Sequence, residues 1–431
     1  MAEISARSRI RGSLLGLACG DSVGTAVEFS KPGSFEPLTD MIGGGAFKLE
    51  PGQWTDDTSM ALCLAESLIE KGRLDLCDQL RRYIDWYENG HLGSTGVCFD
   101  IGMTTRNALM KFRRDQVNPI VGAQAEKAAG NGSLMRLCAS PLAFWKQPRA
   151  AMEAAVWSSK TTHGAPQCLD ACRYFAGLLV GCMNGVSKEE LLSSMYSPFG
   201  VGFWDTLDQP LHKEIREVME GSFRVREPPE IVGAGYVVKT LEAALWAFHH
   251  TDNFRDGCLK VANLGHDADT TAAVYGQIAG AYYGEDGIPQ GWREKCCLAP
   301  LICMMSDELD EMSQHYATAS LEGMAETGNV GSMDDASSTP QYTAGQDYWN
   351  LKIMGFDKME EDLALFVRRM QPSPKAFKSL EEALEGKKTF MDSYESLDKE
   401  YCSVAIRDSM VQIMDGWISK ESNRLQASRR L

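Results

Sequence analysis

The sequence is organised around two short acidic stretches, Trp54-Thr55-Asp56-Asp57-Thr58-Ser59-Met60 and, far downstream, Asp267-Ala268-Asp269-Thr270. Each combines carboxylates with threonine hydroxyls at the predicted start of an apolar helix. Turn-forming residues precede both stretches, Pro51-Gly52 in one case and Gly265 in the other. Four carboxylates and two hydroxyls form a hard, all-oxygen ligand set, which suits Mg²⁺ or Mn²⁺ and not Zn²⁺. Together the two stretches predict a divalent cation site.

A simpler interpretation of the first stretch is an ordinary helix N-cap. Threonine and aspartate are favoured at this position, and the helix dipole stabilises acids in the first turn. The second acidic stretch favours the metal interpretation. The two interpretations are compatible, because a metal site can be built on helix N-termini.

Composition restricts the classes of partner. The 431 residues carry a net charge of −16, with 44% hydrophobic residues, so the chain can bury a substantial core and is not of disordered composition. When an acidic surface meets nucleic acid or anionic lipid, no counterions are released to favour binding. Neither is therefore expected as a partner. A locally basic pocket remains compatible with this balance.

The cysteine content and the amino-terminal sequence indicate the cytoplasm. The thirteen cysteines are scattered and odd in number, which is typical of reduced thiols used as small core residues. The first residues contain no apolar segment of a signal peptide, and no apolar run has the length of a membrane-spanning helix.

The pattern of apolar residues predicts an all-α protein, because the short Val/Ile patches lie inside runs of helical period. In the first predicted helix, which ends at Asp21, Gly12, Gly16 and Gly20 form a ridge that a second helix could approach closely. We expect a catalytic domain over 1–318, a linker over 319–345 and a helical C-terminal appendage of unknown role over 346–431. Residues 231–248 are also predicted to be helical.

A glycine-rich turn at residues 129–136 is a candidate phosphate site. Backbone N–H groups of such a turn can bind a phosphate, and Arg136, predicted to be exposed at the start of a helix, could pair with it. Gly-Asn-Gly is also a common turn, so a purely structural role stays open. His163 lies in a linker between two predicted helices, where a lone histidine is more often structural.

Residues 8–305 resemble the ADP-ribosylglycohydrolase family. Six motifs occur in the family's order: Gly-Leu-Ala-Cys-Gly-Asp-Ser-Val-Gly (16–24) with Glu28, Gln-Trp-Thr-Asp-Asp-Thr-Ser-Met (53–60), Phe-Asp-Ile-Gly-Met-Thr-Thr (99–105), Gly-Asn-Gly-Ser-Leu-Met-Arg (130–136), Thr-His-Gly (162–164), and the stretch 263–284 around Asp267-Ala268-Asp269-Thr270.

The resemblance implies a compact orthogonal bundle of α-helices with two divalent cations, Mg²⁺ or Mn²⁺, at one end of a cleft. The implied metal ligands are Thr55, Asp56, Asp57, Asp267, Asp269 and Thr270. The implied catalytic residues are Asp100 as acid/base, Glu28 on a loop that can swing towards the metals, and Asp57. Asn131, Gly132, Ser133 and Arg136 would hold the diphosphate of ADP-ribose, with His163 close to the diphosphate or the adenosine.

The implied reaction is hydrolysis at C1″ of the ribose in an ADP-ribosylated protein. The motifs around Asp100 and Asp56 look most like the branch that acts on ADP-ribosyl-arginine. Release from serine, from O-acetyl-ADP-ribose or from a nucleic-acid end is the alternative enzymatic function. A catalytically silent ADP-ribose binder or structural relative is the alternative of another class, although the ligand acids are all present here.

One position departs from the family pattern. Residue 266 is histidine, where many relatives carry glycine or aspartate. It directly precedes the implied ligand Asp267 and could tune a metal, but an exposed loop residue is the simpler interpretation.

Overall fold

The computed structural model describes residues 4–207 and 209–318, and the predicted linker and C-terminal appendage lie outside these ranges. The described residues form fourteen α-helices: α1 (Ala6–Gly24), α2 (Asp56–Lys71), α3 (Leu76–Asn89), α4 (Met103–Asp115), α5 (Ala139–Ala143), α6 (Pro148–Lys160), α7 (Pro166–Met183), α8 (Lys188–Leu191), α9 (Lys213–Glu220), α10 (Val237–His249), α11 (Phe254–Ala262), α12 (Ala268–Tyr283), α13 (Gln290–Lys295) and α14 (Ala299–Thr318). No strand occurs in this part of the chain, only three isolated bridges. The all-α prediction is confirmed.

Helices α1 and α12 pack antiparallel at backbone-to-backbone distance. A Cβ atom added to Gly16 would lie 2.3 Å from the carbonyl oxygen of Gly276, and one added to Gly280 would lie 1.8 Å from that of Gly12. The predicted glycine ridge therefore exists, and its partner is the helix that follows the second acidic stretch. This pairing places the C-terminal end of α1 beside the N-terminal end of α12.

Helix α1 continues past the position where the sequence predicted its end. It runs to Gly24 and includes Asp21, which is fully buried. The predicted break is wrong because Asp21 finds hydrogen-bond donors on α2 and because Gly24 packs closely against the backbone of Asp269. A polar residue inside a helix is tolerated when tertiary contacts satisfy it.

The start and end of α2 agree with the sequence. It begins at Asp56 and ends at Lys71, and Gly72 follows with a φ of +60°. Glycine adopts this left-handed conformation without steric cost, which is why it commonly terminates helices. Nearly all of α2 is buried.

Two other predicted helices are shorter or absent. Helix α10 begins at Val237, whereas the sequence predicted it from residue 231. Residues 132–138 form successive turns, and α5 begins only at Ala139. None of the helices in the described ranges combines the length and apolar character needed to cross a membrane.

Candidate metal centre

Asp21 of α1 organises the start of α2. Its Oδ1 accepts hydrogen bonds from the backbone N–H and the hydroxyl of Thr55, both at 3.0 Å. Its Oδ2 accepts from the N–H and the hydroxyl of Thr58, at 3.1 Å and 2.6 Å. Asp21 thus supplies the acceptor that an N-cap residue normally supplies. Burial raises the pKa of Asp21 to about 6, and these hydrogen bonds oppose the shift.

Thr55 does not act as the simple N-cap that the sequence allowed. Its side chain makes no capping hydrogen bond. Instead its hydroxyl lies 3.0 Å from Asp21 Oδ1, 3.1 Å from Asp57 Oδ2 and 3.2 Å from Asp269 Oδ2. The hydroxyl therefore sits at the meeting point of three carboxylates from three helices.

Two groups of carboxylates meet at this point. One oxygen each from Asp21, Asp57 and Asp269 lie within 4.8 Å of one another. A second group with the same spacing consists of Glu28, Asp100 and Asp269. Asp269 belongs to both groups, so the groups are adjacent.

The carboxylates of both groups carry oxygens that no protein donor satisfies. Asp57 Oδ1, Asp269 Oδ1 and Glu28 Oε2 are buried and have no hydrogen-bond partner within the described ranges. Buried polar atoms are normally hydrogen-bonded, and buried charges are paired or coordinate a metal. An all-oxygen set of this kind fits a hard divalent cation.

Burial raises the pKa of every acid in this region, and repulsion from neighbouring acids adds to the shift for several of them. Burial is the largest cause for each. The charge of Glu28 raises the pKa of Asp269 further, and the charge of Asp21 raises the pKa of Asp57 further. The pKa of Glu28 rises to about 9, with Asp100 as its next cause, and that of Asp100 rises to about 6, with Asp267 as its next cause. Protonation therefore competes with cation binding at these carboxylates more than it would at exposed ones.

The other predicted metal ligands lie at the edge of these groups. Asp56 is buried, and burial followed by the charge of Asp100 raises its pKa. Thr270 Oγ1 lies 3.4 Å from Asp57 Oδ2. Asp267 accepts a 2.6 Å hydrogen bond from Asn131 Nδ2. Asp56 and Asp267 belong to neither group, although both lie close enough to influence Asp100 or Glu28 electrostatically.

Asn131 ties the glycine-rich turn to this centre. Besides Asp267, its amide donates to Thr240 Oγ1 at 2.9 Å. Its own backbone N–H donates to Gly235 O at 3.1 Å, and its carbonyl accepts from Leu134 and Met135. The turn is therefore held in a fixed position next to Asp267.

The prediction of an exposed Arg136 is wrong. The side chain has no exposed surface and lies over the ring of Tyr83, 4.7 Å from its centroid. Its guanidinium donates to Gly132 O at 2.6 Å and to Thr162 Oγ1 at 2.7 Å. The polar residues around Arg136 in the sequence suggested a surface position. Instead the guanidinium is inside the protein and holds the turn by hydrogen bonds.

His163 lies beneath the same turn. A Cβ atom on Gly132 would lie 2.8 Å from His163 Cε1, so the ring packs directly against this glycine. The ring Nδ1 pairs with Thr162 Oγ1 at 2.8 Å. Burial, followed by the charge of Arg136, lowers the pKa of His163 to about 3, so it is neutral.

Ser133 is also internal. It is buried and accepts a hydrogen bond from Ser159 Oγ at 2.8 Å. Its hydroxyl is therefore engaged inside the protein, and the same holds for most of the polar side chains around the turn.

His266 is an exposed loop residue with a φ of +55°, as the simpler interpretation predicted. Its backbone makes two hydrogen bonds to the segment after Glu28: Phe29 N donates to His266 O at 2.6 Å, and His266 N donates to Ser30 O at 2.7 Å. The loop that carries Glu28 is thus attached to the loop that carries Asp267.

A sequence model of the ADP-ribosylglycohydrolase family matches residues 2–323. The chain belongs to the ADP-ribosylglycohydrolase family. The resemblance carried by the six motifs is therefore confirmed, and the helical fold with its acidic centre is that of an ADP-ribosylglycohydrolase.

Similar proteins support the same assignment. The chain is 39% identical over 311 residues to the ADP-ribosylarginine hydrolase Tri1 of Serratia proteamaculans. The alignment covers 72% of this chain and 81% of that protein. It is 30% identical over 299 residues to the ADP-ribosyl-[dinitrogen reductase] glycohydrolase of Rhodospirillum rubrum, with 68% and 91% coverage. A solved ADP-ribosylglycohydrolase-related protein complex superimposes with a TM-score of 0.62 at 41% identity, covering 72% of this chain and 99% of that one.

Asp21 is the residue of the centre that sequence reasoning missed. It lies inside the first family motif, but a single acid in a helix rich in small residues looked like the end of that helix. The sequence did contain a sign that the helix continues through Asp21. The four residues before this carboxylate are small or apolar, and a glycine follows within the same helical turn.

Proposed function

We propose that this protein is a metal-dependent ADP-ribosylhydrolase that releases ADP-ribose from modified arginine in proteins. The observation that carries the proposal is the sharing of Asp269 between two adjacent groups of buried carboxylates. Two hard cations side by side, Mg²⁺ or Mn²⁺, would find in these groups the oxygen ligands that they prefer.

Asp57 and Asp269, positioned by Asp21, would hold one cation, and Asp269 with Glu28 the other. Asp56, Asp267, Thr55 and Thr270 complete the candidate ligand set. When bound, such cations grip and orient the vicinal diol of the ribose.

Asp100 is our candidate acid/base for the hydrolysis. Its carboxylate lies within reach of the acidic centre but keeps partial exposure, whereas Asp57 and Asp269 are enclosed. A carboxyl group at the mouth of the site can protonate a leaving nitrogen or activate a water molecule at the cation-like ribose. Glu28, which lies on a different segment of the chain, would be the second carboxylate of the hydrolysis. Asp57 would contribute as a metal ligand.

The turn at residues 131–133 is our candidate for binding the diphosphate. Among the described residues, the N–H groups of Gly132 and Ser133 donate to no backbone carbonyl. Free N–H groups of a turn are suited to anions. Arg136 and His163 lie behind this turn, so we assign them the positioning of the turn rather than direct contact with phosphate.

Arginine is our choice of acceptor for two reasons. The Serratia relative is named an ADP-ribosylarginine hydrolase, and a cationic guanidinium suits an acidic site mouth. The net charge of −16 and the thiols of the described cysteines, all of which are free, agree with a protein of the cytoplasm that acts on other proteins.

The test is release of free ADP-ribose from an arginine-modified protein, with Mg²⁺ or Mn²⁺ and with chelator. Serine-linked ADP-ribose and O-acetyl-ADP-ribose serve as comparison substrates. Metal-dependent release from arginine supports the proposal. Release only from the O-linked substrates would overturn the acceptor, and binding of ADP-ribose without release from any substrate would overturn the enzymatic function.

A further inference from the structure

Three phenylalanine rings form a continuous strip beside the acidic centre. The ring of Phe47 lies 5.0 Å from that of Phe99 and 6.1 Å from that of Phe29, measured between centroids. Phe29 directly follows Glu28, and Phe99 directly precedes Asp100. We call these three residues the aromatic ridge. Its two ends are therefore joined along the chain to the buried Glu28 and to the partly exposed Asp100.

The backbone at Phe29 is held in a conformation that a bulky side chain rarely adopts. Its φ is +61°, and 63% of the side chain is exposed. A left-handed conformation costs about 1–2 kcal/mol for such a residue. The two hydrogen bonds to His266 keep it there. Backbone strain of this kind is concentrated at functional sites. An exposed aromatic ring adds little to the stability of the fold, so packing does not offset the strain.

Phe47 is presented by a small hairpin. Gly44 N donates to Leu49 O at 2.7 Å, and Leu49 N donates to Gly44 O at 3.0 Å. A Cβ atom on Gly45 would lie 1.9 Å from the carbonyl oxygen of Thr25, so the hairpin rests directly on the backbone just before Glu28. The position of Phe47 between the other two rings is therefore built into the chain.

The chemistry of this surface selects one kind of occupant. Aromatic faces attract cations, and guanidinium groups in particular stack on them. Asp100, which is partly exposed and directly follows Phe99, offers a carboxylate that can accept guanidinium N–H groups. The diphosphate of ADP-ribose carries the opposite charge, which the negative face of an aromatic ring does not attract.

We propose that the aromatic ridge binds the arginine side chain of the acceptor and makes the site selective for arginine-linked ADP-ribose. This inference rests on the proposed function. The aliphatic stem and the guanidinium plane of the modified arginine would pack against the rings of Phe29 and Phe47, while the ribose lies over the metal centre. A serine or acetyl acceptor offers no flat cation and gains nothing from the ridge.

The test uses Phe29→Gly and Phe47→Ala in the full chain. Glycine adopts the φ of residue 29 without strain, so the first variant is expected to fold like the wild type. We expect each change to lower kcat/KM for an ADP-ribosyl-arginine peptide by about tenfold, the size of a partly desolvated cation–π contact. The Kd for free ADP-ribose, measured by calorimetry, should stay within twofold of the wild-type value.

Two further variants sharpen the result. Phe47→Tyr keeps the aromatic face and should keep kcat/KM for the arginine peptide. Phe199→Ala is the matched control, because Phe199 is an exposed ring stacked on Phe203 in a different segment, and it should behave as the wild type.

The outcomes separate this inference from the proposed function. Wild-type protein that fails to release ADP-ribose from arginine overturns the proposed function. Wild-type release with unchanged kcat/KM in Phe29→Gly and Phe47→Ala overturns the ridge alone. Equal losses of ADP-ribose affinity and of arginine turnover in these variants would also overturn it, because the ridge would then serve the common part of the substrate.

Discussion

The carboxylate of Asp21 on α1 accepts hydrogen bonds from both the backbone N–H and the hydroxyl of Thr58 on α2. This contact joins the C-terminal part of the first helix to the first turn of the helix that carries Asp56 and Asp57. Asp21 thereby fixes the orientation of the acidic stretch around which the centre is built.

Changing Asp21 should therefore damage the site as well as the fold. Asp21→Asn keeps the shape of the side chain but presents an NH₂ group where two donors now point. We expect a loss of about 1–3 kcal/mol in the free energy of unfolding, the cost of an unsatisfied buried group. Mn²⁺ affinity should fall at least tenfold, as for residues that orient metal ligands. Denaturant unfolding and calorimetric titration measure the two effects.

Asp75→Asn is the matched control for this prediction. Asp75 caps α3 by accepting a hydrogen bond from Asp78 N at 3.0 Å and belongs to neither acidic stretch. Asparagine caps a helix about as well as aspartate, so this replacement should cost little stability and leave Mn²⁺ affinity unchanged. Equal Mn²⁺ affinity in Asp21→Asn and Asp75→Asn would show that Asp21 has no special role at the centre.

Asp100→Asn should separate catalysis from binding. The amide retains the size of the side chain but cannot exchange a proton. We expect kcat to fall by about 10²–10⁴, the range of general acid–base catalysis, with ADP-ribose affinity nearly unchanged. Single-turnover release of ADP-ribose gives the rate, and the exposed Asp205→Asn serves as control. A wild-type rate in Asp100→Asn would rule out the acid/base role.

The close packing of α1 and α12 predicts a large effect of a single methyl group. A Cβ atom on Gly276 would lie 2.0 Å from the carbonyl oxygen of Gly16, where neither backbone can move aside. Gly276→Ala should cost about 1–3 kcal/mol of unfolding free energy through overpacking. In Gly291→Ala the added methyl group meets no neighbour, so thermal unfolding of that variant should match the wild type.

His91 and Glu66 predict a pH-dependent contribution to stability away from the centre. His91 Nε2 lies 2.6 Å from Glu66 Oε2, and Arg82 also pairs with this carboxylate. Burial alone would lower the pKa of His91, but the hydrogen bond and charge of Glu66 raise it overall. Burial alone would raise the pKa of Glu66, but His91 and Arg82 lower it overall.

The sign of each shift sets the pH window. The raised pKa of His91 stabilises the fold below its unfolded value of 6.5 and ceases to do so as pH rises through the folded value. The lowered pKa of Glu66 stabilises the fold above its unfolded value of 4.5. His91→Gln should thus lose more unfolding free energy near pH 5.5 than near pH 9. An equal loss at both pH values would contradict the ion pair.

Much of the fold followed from local pattern. The spacing of Gly12, Gly16 and Gly20 predicted a close helix contact, and Gly72 predicted the end of α2. Both depend on backbone geometry, which a short stretch of sequence determines. The acidic residues at the starts of α2 and α12 were visible for the same reason.

The misplaced features depend on tertiary contacts. Asp21 looked like a helix end because its hydrogen-bond donors belong to α2, 34 or more residues away in the sequence. Arg136 looked exposed because its acceptors, Gly132 O and Thr162 Oγ1, surround it only in the folded chain. No local pattern distinguishes such satisfied polar residues from surface ones.

The central claim is that Asp269 is a ligand shared by two cations, and a calorimetric titration of metal-free protein with Mn²⁺ tests it most directly. We predict two Mn²⁺ ions per wild-type chain. In Asp269→Asn the affinity for both should fall by at least the 10- to 100-fold typical of a damaged metal site, whereas the exposed Asp286→Asn should bind both. Two ions bound with unchanged affinity by Asp269→Asn, or no tight Mn²⁺ binding by the wild type, would contradict the account.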